Sequence, residues 1–324
     1  MKKVLSLALA LVLCLGSCIA LSSCFGNGDD GKYEIGIIQL VEHPALDAAT
    51  EGFKQAIIDE LGADAVVFNY QNAQNDANTC STIVNQFVSN NVDLIMANAT
   101  PALQAAAAAT GTIPILGTSV TEYGVALELD NFNGTVGGNI SGTSDLAPLD
   151  KQAEMITEWF PNAQTVGLLY CSKEANSQYQ VDVVKAELEK KGITATLYPF
   201  TDSNDLAQIC TTAADNSDVI YVPTDNTVAE NTGIIDNICA PKNVPVIAGE
   251  EGICSGCGVA TLSISYYDLG YATGKMAVKI LRDNADISTM PIEYVKQQTP
   301  KYNQRICDAL GLTPLAGYTA IASN

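Results

Sequence analysis

The sequence predicts an α/β protein of two doubly wound parallel-sheet lobes joined by crossover hinges. From Tyr33 onward, short runs rich in β-branched residues alternate with longer helical patterns, and this alternation occurs twice. A Gly- and Asn-rich stretch at 131–142 separates the two sets and is interpreted as a link between the lobes. Strand–helix–strand repetition implies parallel strands with right-handed crossovers and helices on both faces of each sheet. A length of 324 residues suits two lobes better than one small core.

The positions of the elements follow from the apolar pattern. The first lobe is predicted to contain strands at 34–40, 65–70, 92–97 and 113–117 and helices at 45–61, 76–90 and 101–109. The second is predicted to contain helices at 149–160, 177–191, 206–216 and 227–240 and strands at 165–170, 194–199, 219–222 and 245–248. A strand at 259–264, a helix at 267–284 and a strand near 292–297 complete the pattern.

The lobe boundaries follow from this order of elements. The first lobe is predicted to comprise 33–120 and about 266–287, and the second to comprise about 121–265 and about 288–324. Three crossovers, near 118–145, 262–266 and 286–291, are expected to act as hinges between the lobes.

The N-terminal residues have the features of a secretory signal. Lys2 and Lys3 precede an uncharged apolar run at 4–15, which is too short to span a bilayer as a stable helix. Leu-Ser-Ser-Cys at 21–24 resembles a bacterial lipobox, which predicts removal of residues 1–23, lipidation of Cys24 and a flexible tether at 24–32. The lipid would hold the protein outside the cytoplasm, at the outer face of the membrane. The alternatives are lipidation at Cys18, which ends a similar motif, and an uncleaved N-terminal anchor.

The charge balance excludes several classes of function. The chain has 16 Lys plus Arg and 36 Asp plus Glu, a formal net charge of −20. This charge argues against nucleic acid and anionic lipid surfaces as partners, because their phosphates would be repelled. A single His argues against a His-rich metal site and against a Ser-His-Asp hydrolase. No metal site, cofactor or catalytic residue is predicted.

Ten cysteines require an explanation. Loss of the signal removes Cys14 and Cys18, and lipidation uses Cys24, which leaves seven thiols, an odd number that cannot form a closed disulfide framework. Only Cys254 and Cys257 have motif spacing. They could form a disulfide, half a metal site or two free thiols. A disulfide or free thiols are favoured, because a thioredoxin-type motif should open a helix directly after a strand and no second motif completes a zinc site.

The loops that follow predicted strands concentrate polar groups. In doubly wound sheets, ligands bind at the carboxyl ends of the strands, where these loops lie. Pro44 and Pro101 stand where helices begin, and Thr100 is predicted to cap its helix, so free backbone N–H groups could hold an anion there. Capping alone explains any single loop, so the prediction of a site depends on the convergence of several. They are 39–44, 98–101, 118–121, 171–177 and 223–227, with 250–251 and 266–267 beside them.

Several segments resemble one known family. They are IGIIQLVEHPALDAATEGF at 35–53, FNYQNAQND at 68–76, DLIMANATPALQAAAAAT at 93–110, SDLAP at 144–148, EANSQ at 174–178, YVPTDNTV at 221–228 and YYDLGYATGKMAVKIL at 266–281. They are similar to the ABC-transporter substrate-binding family that includes binders of tryptophan, tyrosine and phenylalanine. The resemblance extends from about residue 33 to about 312 and implies a type I periplasmic-binding-protein fold.

The resemblance implies a ligand site between the lobes, and loop chemistry suggests its contacts. The predicted ligand-binding residues are Glu42, His43, Pro44, Thr100, Pro101, Ser119, Val120, Thr121, Asn176, Ser177, Asp225, Asn226, Glu251 (with Glu250 as the other candidate at that loop) and Tyr266. The ligand carboxylate is expected at the helix start after Thr100, assisted by Ser119 or Thr121. Its ammonium group is expected at Asp225, with Glu42 or Glu251 as further candidates, and Tyr266 or Tyr267 is expected to stack on an aromatic side chain.

Two segments depart from the family pattern. Members usually carry Asp-Pro where this chain has Glu122-Tyr123, and they often have Ser-Asp-Glu where it has Gly-Glu-Glu-Gly at 249–252.

Together with the lipobox, the resemblance implies that this chain is a lipid-anchored, monomeric, non-enzymatic solute-binding protein of an ABC importer. It would deliver an aromatic or other hydrophobic amino acid to a permease and its ATPase. The alternatives are a surface receptor for a sensor kinase, a nucleoside or sugar binder, and a thiol enzyme at Cys254 and Cys257.

Overall fold

Two mainly parallel sheets form the framework of the protein in a computed structural model. The structure describes residues 31–294 and 297–322. The predicted signal at 1–23, Cys24 and nearly all of the tether lie outside the described residues. The predicted fold class, two doubly wound α/β lobes, is confirmed.

In the described part of the chain, the first sheet contains six strands, all paired in parallel. Its strands are β1 (Tyr33–Gln39), β2 (Val66–Asn72), β3 (Leu94–Asn98), β4 (Ile115–Val120), β5 (Ile140–Ser144) and β11 (Glu293–Tyr294), in the spatial order β11-β5-β4-β3-β1-β2. Its helices are α1 (Pro44–Leu61), α2 (Ala77–Ser89), α3 (Thr100–Ala109), α4 (Tyr123–Ala126) and α11 (Tyr266–Leu281).

Both faces of this sheet are covered. Ile35 and Ile37 of β1 pack in one apolar cluster with Phe53 of α1 and Met276 of α11. Ile38 packs in a separate cluster on the opposite face, with side chains of α2 and α3. This alternation is the period-2 geometry of a strand buried on both sides, and it explains the continuous apolar runs of the sequence.

The second sheet contains seven strands. They are β6 (Thr165–Cys171), β7 (Thr194–Phe200), β8 (Val219–Val222), β9 (Val246–Ala248), β10 (Ala260–Ser263), β12 (Thr299–Tyr302) and β13 (Thr319–Ala320), in the order β13-β12-β10-β9-β8-β6-β7. Among the described strand pairs of this sheet, only the β10–β12 pair is antiparallel. Its helices are α5 (Leu149–Trp159), α6 (Ala175–Lys190), α7 (Ser203–Asp215), α8 (Asn226–Glu230), α9 (Thr232–Cys239), α10 (Glu251–Cys257) and α12 (Gln304–Leu310).

The predicted end of the first lobe at residue 120 is wrong. Strand β5 pairs with β4, and β11 pairs with β5, so residues up to 144 and the segment around 293 belong to the first sheet. The Gly-rich stretch is not a simple link, because Gly142 lies against Gly117 of the neighbouring strand. A Cβ atom on Gly142 would overlap the backbone oxygen of Gly117. These glycines therefore allow close strand pairing.

Other differences concern short elements. The helix predicted at 227–240 is two helices, α8 and α9, with Asn231 between them. The sequence does not predict helix α10, since its seven residues include two glycines and two cysteines in a stretch without a clear apolar period. The chain crosses between the sheets at 145–148 and at 264–265, and β11 belongs to the first sheet whereas β12 belongs to the second, so the predicted hinges at 118–145 and 286–291 are displaced.

Helices α1 and α11 approach each other very closely. A Cβ atom on Gly270 of α11 would overlap the backbone oxygen of Ala49, and one on Gly52 of α1 would overlap the backbone oxygen of Tyr267. Gly274 is similarly close to Phe53. The glycines let the two backbones pack in near-contact, and this packing supports the end of α1 that faces the second lobe.

Candidate functional site

The carboxyl ends of strands from both sheets face each other across a cleft. In the first lobe, His43 follows β1, Thr100 follows β3, Ser119 lies in β4 and Asp145 follows β5. In the second lobe, Asn176 follows β6, Asp225 follows β8 and Glu250 follows β9. Because adjacent strands are about 4.8 Å apart, each set of loops forms a row along its sheet. The predicted convergence of the strand-end loops is present in the structure.

The two lobes are closed over this cleft. The Nε2 atom of His43 lies 3.2 Å from Oδ1 of Asn226 in the opposite lobe. Asn75 donates from Nδ2 to Oγ1 of Thr227 at 3.1 Å. These contacts join the segments after β1 and β2 in the first lobe to the segment after β8 in the second lobe.

Five polar side chains in the cleft each have a buried atom without a hydrogen-bond partner. The atoms are His43 Nδ1, Thr100 Oγ1, Ser119 Oγ, Asp145 Oδ1 and Asn176 Oδ1. All five residues are at most 7% exposed. Leaving a buried polar group unpaired costs about 1–3 kcal/mol, so such atoms are uncommon unless a ligand or water completes them. The cluster therefore indicates a site for a small polar molecule.

The hydrogen-bond network assigns the tautomer of His43. Asn226 donates from Nδ2 to Glu174 at 2.6 Å, so its Oδ1 atom is an acceptor and Nε2 of His43 is the donor. Burial lowers the pKa of His43, although its hydrogen bond to Asn226 and the charge of Glu174 act in the opposite direction. The ring is therefore neutral in the closed form, and its unpaired Nδ1 atom is an acceptor.

The start of helix α3 has no side-chain cap and carries polar groups that could bind an anion. The residue before the helix is Ala99, with φ 93°, and no side chain caps the helix. The prediction that Thr100 is the capping residue is wrong, since Thr100 is the first helical residue and its hydroxyl is unpaired. Ser119 on the adjacent strand also has a positive φ, 53°. Non-glycine residues held at positive φ are strained and are concentrated at functional sites.

A carboxylate pair organises the loops of the second lobe. Glu174 accepts hydrogen bonds from the backbone N–H groups and side chains of both Asn226 and Thr227 at 2.6–2.9 Å. Asp225 accepts from the backbone N–H groups of Cys171 at 2.7 Å and Val228 at 2.9 Å. Burial, reinforced by the charge of Glu174, raises the pKa of Asp225. Asp225 therefore acts as a loop clamp, and the structure does not support its predicted role as the ammonium partner.

The other predicted residues fall into three groups. Buried in the cleft with the atoms above are Thr121, Ser177, Asn226 and Tyr266. At its margin, Glu42 and Pro44 are exposed, Pro101 is half-buried and Glu251 forms an ion pair with Lys301 at 2.6 Å. Val120 packs in the apolar core of the first lobe. Tyr267 is 39% exposed and stacks on Tyr271 at the surface of α11, so it is not placed to stack on a ligand in the cleft.

A groove of about 750 Å³ crosses the boundary between the lobes near the second crossover. Pro44, Ala45 and Ala48 line it from α1, and Glu250, Glu251 and Tyr266 line it from the loop after β9 and the start of α11. The groove does not reach Thr100, Ser119 or Asn176. We place the polar site in the enclosed cluster, because that is where the unpaired polar atoms are.

The cysteine motif is not a disulfide in this structure. Cys254 and Cys257 are free, lie within helix α10 and are at most 3% exposed. Burial raises the pKa of both thiols. The candidate disulfide between them is therefore wrong for this structure, and raised thiol pKa values also argue against a reactive thiolate. The sulfur atoms of Cys210 and Cys239 lie 3.8 Å apart.

Sequence reasoning missed Glu174 and Asp145. Both lie in segments that carry the family resemblance, EANSQ and SDLAP. The sequence around them does not show whether such an acid contacts a ligand or only supports the fold.

Among the described residues there is no cluster of His, Cys, Asp or Glu suited to a metal ion. In the same part of the chain, no helix has the length and apolar character needed to cross a membrane.

The raised pKa of Glu250 predicts how the stability of the protein depends on pH. It caps α10 by accepting from the backbone N–H groups of Gly252 and Ile253, and burial raises its pKa from 4.5 to about 7. Because the pKa of Glu250 is higher in the folded than in the unfolded protein, protonation of this side chain stabilises the fold. This contribution is complete below pH 4.5 and is lost as the pH rises through 7. Between these limits, the unfolding free energy of wild type should fall relative to Glu250→Gln by about 3 kcal/mol. Denaturant unfolding of both proteins at several pH values measures this; a constant difference would contradict it.

Comparison with known proteins agrees with the two-lobed cleft. A family model described as ABC transporter substrate binding protein matches residues 34–314. The chain is 35% identical over 329 residues to the tyrosine-binding protein of Clostridioides difficile strain R20291, covering 97% of this chain and 94% of the relative.

Two solved structures differ in their ligand state. One is an ABC domain from Streptococcus pneumoniae in complex with L-Trp, with 32% identity, a TM-score of 0.84 and coverage of 89% of this chain and 99% of that one. The other is the ligand-free, open structure of a substrate-binding protein with adhesive properties from Clostridium difficile, with 38% identity, a TM-score of 0.69 and coverage of 90% and 100%. The better superposition on the L-Trp complex, despite lower identity, agrees with the closed contacts between the lobes.

Proposed function

Because the chain belongs to the ABC transporter substrate-binding protein family, we propose that it captures an aromatic amino acid in the closed cleft between its lobes. The observation that carries this proposal is the set of unpaired buried polar atoms contributed by both lobes. Its fold is that of type I periplasmic binding proteins. Binding alone is the output, and no bond in the ligand changes.

The ligand carboxylate is assigned to the start of α3. Backbone N–H groups of a first helical turn lack partners within the helix, and the helix dipole favours negative charge there. The hydroxyls of Thr100 and Ser119 are the unpaired donors nearest to this helix start along the adjacent strands. Together they offer an anion several donors without a cationic side chain, which suits reversible capture of a zwitterion.

The other end of the cleft offers acceptors. Nδ1 of neutral His43 and Oδ1 of Asn176 are both unpaired. The amide of Asn176 is oriented by its Nδ2 atom, which donates to the backbone oxygen of Thr224 at 2.9 Å. A ring that carries a donor, such as the hydroxyl of tyrosine or the indole N–H of tryptophan, would satisfy one of these acceptors. The ligands named for the relatives, tyrosine and L-Trp, both have such a donor.

We further propose that the protein works outside the cytoplasm, anchored through Cys24 and acting as a monomer. Contacts such as His43 to Asn226 form only when the lobes close, so ligand binding would favour the closed form. A permease and its ATPase would then receive the ligand from that form. Labelling with a radioactive fatty acid, in wild type and in Cys24→Ala, tests the anchor.

Calorimetric titration with tyrosine, tryptophan and phenylalanine tests the ligand class. Tyrosine or tryptophan should bind, and phenylalanine should bind at least about tenfold more weakly, because it leaves the acceptors of His43 and Asn176 unpaired. A ligand at one hundred times its Kd should also raise the unfolding free energy by about 2.7 kcal/mol. Absence of binding by all three amino acids, together with binding of a sugar or nucleoside, would contradict the proposal.

A further inference from the structure

Four buried carboxylates line the cleft. Asp145, Glu174, Asp225 and Glu250 are each at most 4% exposed. Among the described residues, none of the four has a lysine or arginine nitrogen within 4 Å. A buried carboxylate needs either hydrogen-bond donors or a cation to offset the loss of water. The four differ in how this need is met.

Three of these carboxylates have partners on both oxygens. Each oxygen of Glu174 accepts from a backbone N–H group and a side chain of the loop after β8. The oxygens of Asp225 accept from Val228 and Cys171. Those of Glu250 accept from Gly252 and Ile253. All three therefore have a structural explanation without a ligand.

Asp145 is the exception. Its Oδ2 atom accepts from the hydroxyl of Tyr266 at 2.9 Å, but its Oδ1 atom is buried without a partner. Burial raises the pKa of Asp145, although the hydrogen bond that Tyr266 donates to Oδ2 lowers it in part. A positively charged group at Oδ1 would remove this cost, and none of the described lysines and arginines provides one.

We propose that Oδ1 of Asp145 binds the ammonium group of the ligand. The inference rests on the proposed function, since it names the contact that would select an amino acid. The backbone supports this position: the N–H group of Asp145 lies 3.4 Å from the backbone oxygen of Val120, next to Ser119 in the carboxylate subsite. The two charged groups of an α-amino acid would thus contact neighbouring strand ends.

The length of the cleft agrees with this orientation. Strands β1, β3, β4 and β5 are neighbours in that order, so three strand spacings, about 14 Å, separate the ends of β1 and β5. The ends of these strands are therefore far enough apart for the loops that follow them to hold an aromatic amino acid between them.

Tyr266 is a positioning residue for this contact. It holds Oδ2 of Asp145 and so directs Oδ1, and both residues lie at crossovers between the lobes. The ammonium group would therefore bind directly beside the hinge. Tyr266→Phe should weaken binding of the amino acid less than a change at Asp145 does, because the carboxylate remains.

A pair of ligands and a pair of variants test the proposal. L-tyrosine and 3-(4-hydroxyphenyl)propionate differ only in the amino group; if tryptophan is the tighter ligand, L-tryptophan and indole-3-propionate replace them. Wild type should bind the amino acid about one hundredfold more tightly than the analogue. In Asp145→Asn the affinities for the two ligands should lie within about threefold of each other. Relative to wild type, only the affinity for the amino acid should fall. Asp150→Asn, which removes the same charge from the exposed first turn of α5, should behave as wild type.

The possible results separate the two proposals. If wild type binds none of the amino acids, the proposed function fails. If wild type prefers the amino acid and Asp145→Asn keeps the same preference, the assignment of Asp145 is overturned and the proposed function stands. If Asp145→Asn loses affinity equally for both ligands, the assignment of Asp145 is also overturned, because an equal loss would indicate a general structural role. Asp145→Ser provides a second variant, and unfolding midpoints show that each variant is folded.

Discussion

Replacement of Gly270 by alanine is expected to lower the free energy of unfolding by about 3 kcal/mol. The new Cβ atom would overlap the backbone oxygen of Ala49, and a backbone atom within helix α1 cannot move aside without shifting the helix. Separation of α1 from α11 would also open the apolar cluster that contains Phe53 and Met276. The better helix propensity of alanine, worth up to about 1 kcal/mol, offsets only part of this cost. Denaturant unfolding of wild type and Gly270→Ala measures the difference.

A matched control separates close packing from helix propensity. Gly233, the second residue of α9, has no atom within 4 Å of the position that a Cβ atom would take. Gly233→Ala should therefore leave stability unchanged or raise it by up to about 1 kcal/mol. If Gly270→Ala and Gly233→Ala have equal effects, the close approach of α1 and α11 is not what the glycine at 270 provides.

Replacement of Glu174 by alanine is expected to cost about 4 kcal/mol of stability. The change leaves the buried N–H groups of Asn226 and Thr227 without acceptors, and each unpaired buried donor costs about 1–3 kcal/mol. The side chain of Asn226, which contacts His43 across the cleft, also loses its partner. Denaturant unfolding should show the loss of stability, and ligand affinity should fall with it because the loop after β8 is released.

Two controls accompany Glu174→Ala. Glu174→Gln retains an acceptor oxygen and should cost less than the alanine variant. Glu189, in the last turn of the same helix α6, has a side chain that is 52% exposed and pairs with Lys185 at the surface. Glu189→Ala should change stability by less than about 1 kcal/mol. Similar losses at positions 174 and 189 would contradict the clamp role of Glu174.

Much of the architecture could be predicted from the sequence, because buried parallel strands leave continuous apolar runs. The strands around Ile37 and Leu168 are examples, since both side chains are fully buried. The lobe boundary was misplaced because glycines that permit close pairing of β4 and β5 have the same composition as a flexible link. Only the spatial contact of Gly117 with Gly142 distinguishes the two cases.

The site was predicted at the level of loops but not at the level of individual acids. His43, Thr100, Ser119 and Asn176 were predicted because they follow strands, and all four have unpaired buried atoms. Asp225 also follows a strand, but backbone N–H groups occupy its oxygens. The position of an acid after a strand does not show whether its oxygens already accept hydrogen bonds from backbone N–H groups. Deciding whether Asp225 or Asp145 could bind the ammonium group therefore requires the three-dimensional hydrogen-bond network.

A crystal structure of the protein with bound L-tyrosine is the most direct test of the proposed binding mode. We expect the lobes to be closed over the ligand, with its carboxylate at the start of α3 within hydrogen-bond distance of Thr100 or Ser119. Its ammonium nitrogen should lie about 3 Å from Oδ1 of Asp145. A ligand seated in the groove beside Tyr267, with the unpaired atoms of the cleft bound only to water, would contradict it.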